Sequence, residues 1–103
     1  MLFRSDLAGA VRGTIRLVTE VCAGLGIEAI LNLAVTDGTA MAFTRYSTNG
    51  PGTSLYVLED AKTFPGAVVV ASERLDEDPR WRKVPDRHLL SVRRGSGATL
   101  SPL

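Results

Sequence analysis

The chain has 103 residues, 45% of them hydrophobic and 22% charged, and a net charge of +1. That length allows one domain with a modest core, and no apolar run approaches the roughly 20 residues a membrane span needs. Near-neutral charge argues against capture of phosphate backbones, and a single cysteine, Cys22, can neither close an internal disulfide nor join a thiolate metal cluster.

From these properties the sequence is expected to need no metal, no cofactor and no membrane, and to sit in a reducing cytoplasm. The start, Met1-Leu2-Phe3-Arg4-Ser5-Asp6, lacks the order of basic, apolar and small residues of a secretory signal. From Arg74 onward seven basic residues interleave with four acids and no base-stacking aromatic series. No nucleic-acid partner is therefore expected, and binding through this Arg-rich end is the weakest of the functional readings.

Leu7, Val11, Ile15, Val18, Cys22 and Leu25 recur at intervals of three and four, the spacing of one amphipathic helical stripe. Ser5 or Asp6 can cap its first turn, and Gly24 or Gly26 can end it. Gly9 and Gly13 each cost about 1 kcal/mol relative to alanine inside a helix. Such a helix needs a sheet to pack on, or tolerates glycine because something approaches closely.

Ile30 to Thr36 and Thr39 to Tyr46 flank Asp37-Gly38, which predicts a hairpin closed by a two-residue turn. That register places Val35 opposite Ala40, Leu33 opposite Ala42 and Asn32 opposite Phe43, with both faces apolar enough to be buried. A loop over Ser47-Thr48-Asn49-Gly50-Pro51-Gly52 leads to a short strand from Ser54 to Leu58, and a second loop runs through Pro65-Gly66. Ala67 to Ala71 is uncharged and β-branched, and is expected to be a central strand buried on both faces. Turns around Trp81 precede a last strand from His88 to Val92, and Arg93 to Leu103 is expected to be a loose polar tail.

The fold class is thus α+β, one leading helix on a mostly antiparallel sheet. Two buried faces call for two covering layers, and one helix supplies only one.

Candidate chemistry is sparse. Cys22 lies on the helical stripe, where a buried, unactivated thiol is the ordinary outcome. His88, the only histidine, stands in an apolar strand end without a serine-elbow motif, which favours capping or packing. The segment Asn49 to Ser54 lacks the lysine and the following helix of a phosphate cradle. Asp76, Glu77 and Asp78 read as solvated turn acids, whereas Glu73 directly follows the buried strand, where a carboxylate needs a partner.

In order along the chain, Leu31-Asn32-Leu33-Ala34-Val35-Thr36-Asp37-Gly38, Thr44-Arg45-Tyr46, Ser54-Leu55-Tyr56, Val70-Ala71-Ser72-Glu73-Arg74-Leu75-Asp76 and Trp81-Arg82-Lys83-Val84-Pro85 form five blocks. They resemble the C-terminal half of class II glutamine amidotransferases, in the branch with ergothioneine-pathway and glutathione-degrading members. The likeness covers residues 6 to 93, and it departs from the family at Arg74, where a proline usually stiffens the turn.

The resemblance implies an αββα sandwich of the N-terminal-nucleophile hydrolases, with residues 1–93 as the C-terminal part of the amidotransferase domain and 94–103 as a flexible tail. It also implies a cysteine exposed by methionine removal that attacks a glutamine or γ-glutamyl amide. Position 2 here is Leu2, so no catalytic residue carries over, and the chain is expected to be an inactive scaffold half by itself. Asn32, Arg45, Ser72, Glu73 and Trp81 are the motif positions expected near the chemistry. The implied partner is an N-terminal catalytic half or a second copy, with glutamine or a γ-glutamyl compound as substrate only of the completed domain. A small noncatalytic binding module is the alternative reading.

Overall fold

The computed structural model describes residues 6–50, 52–60 and 65–103. Ser5 as a cap, Leu2 as a position and Pro51 in its loop lie outside the described residues.

Helix α1 spans Leu7–Gly24. Asp6 caps it, its carboxylate accepting the Gly9 amide at 3.1 Å. A Cβ at Gly9 would sit 2.5 Å from Asp6 Oδ2, a clash that a small rotation of the carboxylate relieves. The helix ends with the Ile27 amide donating back to the Cys22 carbonyl and Gly26 at φ +69°, a closure that requires the left-handed conformation glycine adopts freely. Gly13 has no atom within 4 Å of a would-be Cβ, so its conformational cost is not offset by a close approach.

Strands β1 (Ala34–Thr36), β2 (Ala40–Arg45), β6 (His88–Arg93) and β7 (Gly97–Pro102) form an antiparallel sheet in the order β1-β2-β6-β7. Strands β3 (Tyr56–Glu59), β4 (Val68–Ala71) and β5 (Arg82–Lys83) form a second one, ordered β4-β3-β5 and likewise antiparallel.

Four expectations change. The hairpin pairs Val35 with Ala42, Ala34 with Phe43 and Thr36 with Met41, a shift of two residues from the register a two-residue turn would give. The reason is Asp37, whose Oδ1 accepts the amides of Thr39 and Ala40, both at 2.9 Å, and so stabilises a longer loop in which Gly38 takes φ +91°. A slip of two keeps each side chain on its face, so the pattern of faces survives.

Burial of the hairpin is less complete than expected, because all three residues of β1 are exposed. Strand β4 is not central: it is an edge, half-buried throughout, and β3 occupies the middle. The segment expected as a loose tail instead forms β7, which pairs along β6 from His88–Pro102 to Arg93–Gly97. Arg12 fastens that strand to the helix, donating to the Pro102 carbonyl at 2.6 Å and to Ser101 Oγ at 2.7 Å.

One face of the four-stranded sheet packs Ala42 and Leu89 against Val11 and Ile15 of α1, with Leu31, Leu33, Tyr46 and Leu103 around them. On its other face Leu90, Phe43 and Val92 meet Leu55, Val57 and Val84, together with Val68 and Val70 of the second sheet. A third cluster, Leu58 with Trp81, Tyr56, Val69 and Ala71, lies on the far side of the second sheet. Among the described residues no helix is long and apolar enough to cross a membrane.

Candidate functional site

Arg45 ends β2 on the face turned toward the second sheet, and it is 5% exposed. Its Nε donates to the Thr53 carbonyl at 3.1 Å and its Nη1 to the Val84 carbonyl at 2.6 Å. Asn32 reaches the same Thr53 carbonyl, with Nδ2 at 2.9 Å. Two of the motif positions therefore converge on one backbone acceptor and tie the segment entering β3 to the first sheet. Carbonyl dipoles, not a carboxylate, solvate this buried guanidinium, which suits a fixed structural cation.

Nearby, Thr44 is fully buried, and its hydroxyl both accepts the Leu33 amide at 3.0 Å and donates to the Leu31 carbonyl at 2.8 Å. It continues the β1–β2 pairing past the end of β1, toward the bridge between Ile30 and Ser47. Arg87, at φ +57°, stacks over the Tyr46 ring at 5.4 Å and donates to the carbonyls of Ser47 and Thr48.

Trp81 belongs to another part of the molecule. It packs on Leu58 and donates its indole N–H to Asp76 Oδ1 at 2.8 Å, which gives the buried ring the polar partner it requires. Ser72 and Glu73 are exposed in the bend that follows Ala71, and Ala71 packs against this cluster. The carboxylate of Glu73 is thus hydrated rather than buried beside the strand. Arg74 lies 5.8 Å over the Tyr56 ring, and Arg80 pairs with Asp78 at 2.9 Å, which raises the arginine pKa above its ordinary value. Asn32 and Arg45 meet at Thr53, whereas Trp81 bonds Asp76 and stands near the exposed Ser72 and Glu73, so the five motif positions fall into two separate groups.

Thr53 and Asp76 are the partners that sequence reasoning missed. Thr53 acts through its backbone carbonyl, which leaves no side-chain signal. Asp76 was readable in principle, since a tryptophan N–H near a turn acid is a common pair.

The described residues do not present a nucleophile and base in register. Cys22 is half-buried on the helix, and the His88 ring lies with Nδ1 2.9 Å from the Asp86 carbonyl. No group of three or more His, Cys, Asp or Glu side chains among the described residues is placed to hold a metal ion.

With this geometry in view, what the chain is similar to is part of a hydrolase. Over 66 residues it is 40% identical to the gamma-glutamyl-hercynylcysteine sulfoxide hydrolase of Mycolicibacterium smegmatis, a match covering 64% of this chain and 25% of that protein. The protein of the same name from Mycobacterium tuberculosis H37Rv is 37% identical over 76 residues, covering 74% of this chain and 28% of its own length. The chain thus spans about a quarter of the curated relatives it matches. No family model matches it.

Proposed function

We propose that this chain is a scaffold portion of a γ-glutamyl amide hydrolase of the class II glutamine amidotransferase kind. Its similarity to two mycobacterial hydrolases whose name specifies a γ-glutamyl substrate carries the reading. Residues 6–93 supply strands and a helix behind the catalytic centre, and the nucleophile comes from polypeptide that completes the fold. Within that domain the helix and the two sheets are three layers of an αββα sandwich. The fourth, a second helical layer, covers the outer cluster of Leu58, Trp81, Tyr56, Val69 and Ala71.

Open surface supports the same reading. The C-terminal half of α1 leaves Leu17, Val21 and Leu25 more than half exposed, and Ile27 and Ile30 continue the apolar surface beyond it. The principal extents of 46 × 42 × 17 Å describe a slab. Its Cα radius of gyration is 14.8 Å, where a compact domain of this length has about 13 Å. In this reading Asn32 and Arg45 hold the segment entering β3 in place, Ser72, Glu73 and Trp81 shape the neighbouring surface, and the working protein is cytoplasmic.

The test is an assay of ammonia and amine release from glutamine and from a γ-glutamyl anilide. The purified chain is expected to be inactive alone and to support turnover once mixed with the M. smegmatis hydrolase polypeptide lacking its matched segment. Robust turnover by the chain alone would refute the scaffold reading.

A further inference from the structure

The hydrogen-bond phase of the second sheet decides which groups of β4 face outward. The Asp60 amide donates to the Ala67 carbonyl at 2.9 Å, in the same register that pairs Leu58 with Val69 and Tyr56 with Ala71. Antiparallel pairs alternate between bonded and non-bonded, so Val69 and Ala71 direct their N–H and C=O groups at β3. The main-chain groups of Val68 and Val70 point the other way. The opposite side of β3 agrees, since Leu55 accepts the Val84 amide at 2.8 Å, in phase with the pairing of Val57 and Arg82.

That outward edge lacks two of the usual protections. Val68-Val69-Val70-Ala71 holds no charge and no proline, and it pairs only with β3 among the described residues. Beside it runs a groove of about 360 Å³ lined by Met41, Phe43, Val68, Val69, Val70 and Val92, without a polar side chain. Met41 and Phe43 share a face with Thr36 and Ala34 of the exposed edge strand β1. The second sheet therefore stops short of covering the first one at this corner.

We infer that the open edge of β4 receives an extended, uncharged, apolar strand, which adds a fourth strand to the second sheet and fills the groove over Met41 and Phe43. The inference rests on the proposed function, and the occupant is a strand of the polypeptide that completes the hydrolase. A helix has no spare main-chain groups with which to satisfy an edge, so the occupant is a strand. The matched segment makes up only 25–28% of the relatives, which leaves most of such a protein to supply it.

Contact size separates the possible occupants, since a standard stable interface buries roughly 800 Å² per partner. Two copies joined through β4 alone would meet over four residues each and fall short of that area.

The probe is the M. smegmatis hydrolase polypeptide lacking its matched segment, mixed with this chain and followed by size-exclusion chromatography with light scattering. Amide hydrogen exchange is read on the same samples. In the complex, exchange at Val68 and Val70 is expected to slow at least tenfold, while Val69 is protected with or without the probe. Val70→Pro removes one outward donor without breaking the bonds to β3, and Met41→Lys places a charge in the groove at a site already 41% exposed. Each is expected to weaken binding at least tenfold; Met41→Lys leaves the melting midpoint of the free chain unchanged, and Val70→Ala, which trims the packed side chain but keeps the outward donor, is expected to bind as the unaltered chain does.

A complex that forms with Val68 and Val70 still exchanging freely, or that tolerates both groove variants, overturns the edge assignment and leaves the proposed function standing. Failure of the unaltered chain to form any complex overturns both. Should Val70→Pro instead convert a dimer of this chain into monomer, the occupant is a second copy and the assignment is wrong.

Discussion

The two halves of α1 carry one apolar spacing and meet different surroundings. Val11 and Ile15 are 3% and 4% exposed against Ala42 and Leu89, whereas Val18 and Cys22, next on the same stripe, are only half-buried. Leu25, the last residue of that stripe, stands 70% exposed. Spacing of three and four tells which residues share a side of a helix, but the extent of the covering layer belongs to other parts of the chain. Here the sheet ends under the first two to three turns, and the rest of the helix overhangs.

The strongest way to break this contrast is truncation on either side of the boundary. Ile15→Ala leaves a cavity in the helix–sheet core and is expected to cost about 2–5 kcal/mol in urea unfolding. Val18→Ala, next on the same stripe but only half-buried, is expected to cost less, about 1 kcal/mol. Equal losses at the two positions would mean that the overhanging half is covered in solution, and light scattering would then show a dimer.

Arg45 carries the next largest effect, because it joins the two sheets where α1 joins only one. Arg45→Met keeps much of the packing volume but removes the donor to the fully buried Val84 carbonyl, while Asn32 continues to serve Thr53. An orphaned buried carbonyl is expected to cost about 1–3 kcal/mol, read as a lower urea midpoint. An unchanged midpoint would place the attachment of the second sheet in its apolar contacts alone.

Much of this was legible in the sequence and some was not, for identifiable reasons. The helix from Leu7 was readable because cap, stripe and terminating glycine agree. The hairpin was readable at Asp37-Gly38, but its register was not, since an aspartate side chain that accepts two amides makes the loop longer than the dipeptide implies. The run Val68 to Ala71 reads as doubly buried, yet composition reports only apolarity, and an edge awaiting a neighbour has the same letters as a central strand. Strand β7 was hidden because Gly97, Thr99, Ser101 and Pro102 are residues of turns, while Ala98 and Leu100 opposite Val92 and Leu90 supply the alternation. Asn32 and Arg45 are marked by the family resemblance, whereas the backbone carbonyl of Thr53 that joins them carries no side-chain signal.

At the closed end of α1, Asp6→Ala removes the acceptor for the Gly9 amide and is expected to cost about 1 kcal/mol, with a matching loss of helical circular dichroism. Loss of helicity without loss of stability would indicate that the first turn frays freely and that Val11 and Ile15 alone hold the helix.

The smallest effect has the opposite sign and falls between the two halves. Gly13 is exposed, has nothing within 4 Å of a would-be Cβ and lies inside a helix, where alanine is better by about 0.5–1 kcal/mol. Gly13→Ala is therefore expected to raise the urea midpoint of the isolated chain. The same substitution also probes what covers the overhang. If a completing layer packs closely over this side of α1, the added methyl group occupies space that layer needs, and the gain seen in the isolated chain shrinks or reverses in the complex. A gain of equal size in both states would place the completing polypeptide on the β4 side of the molecule and leave this side of α1 to solvent.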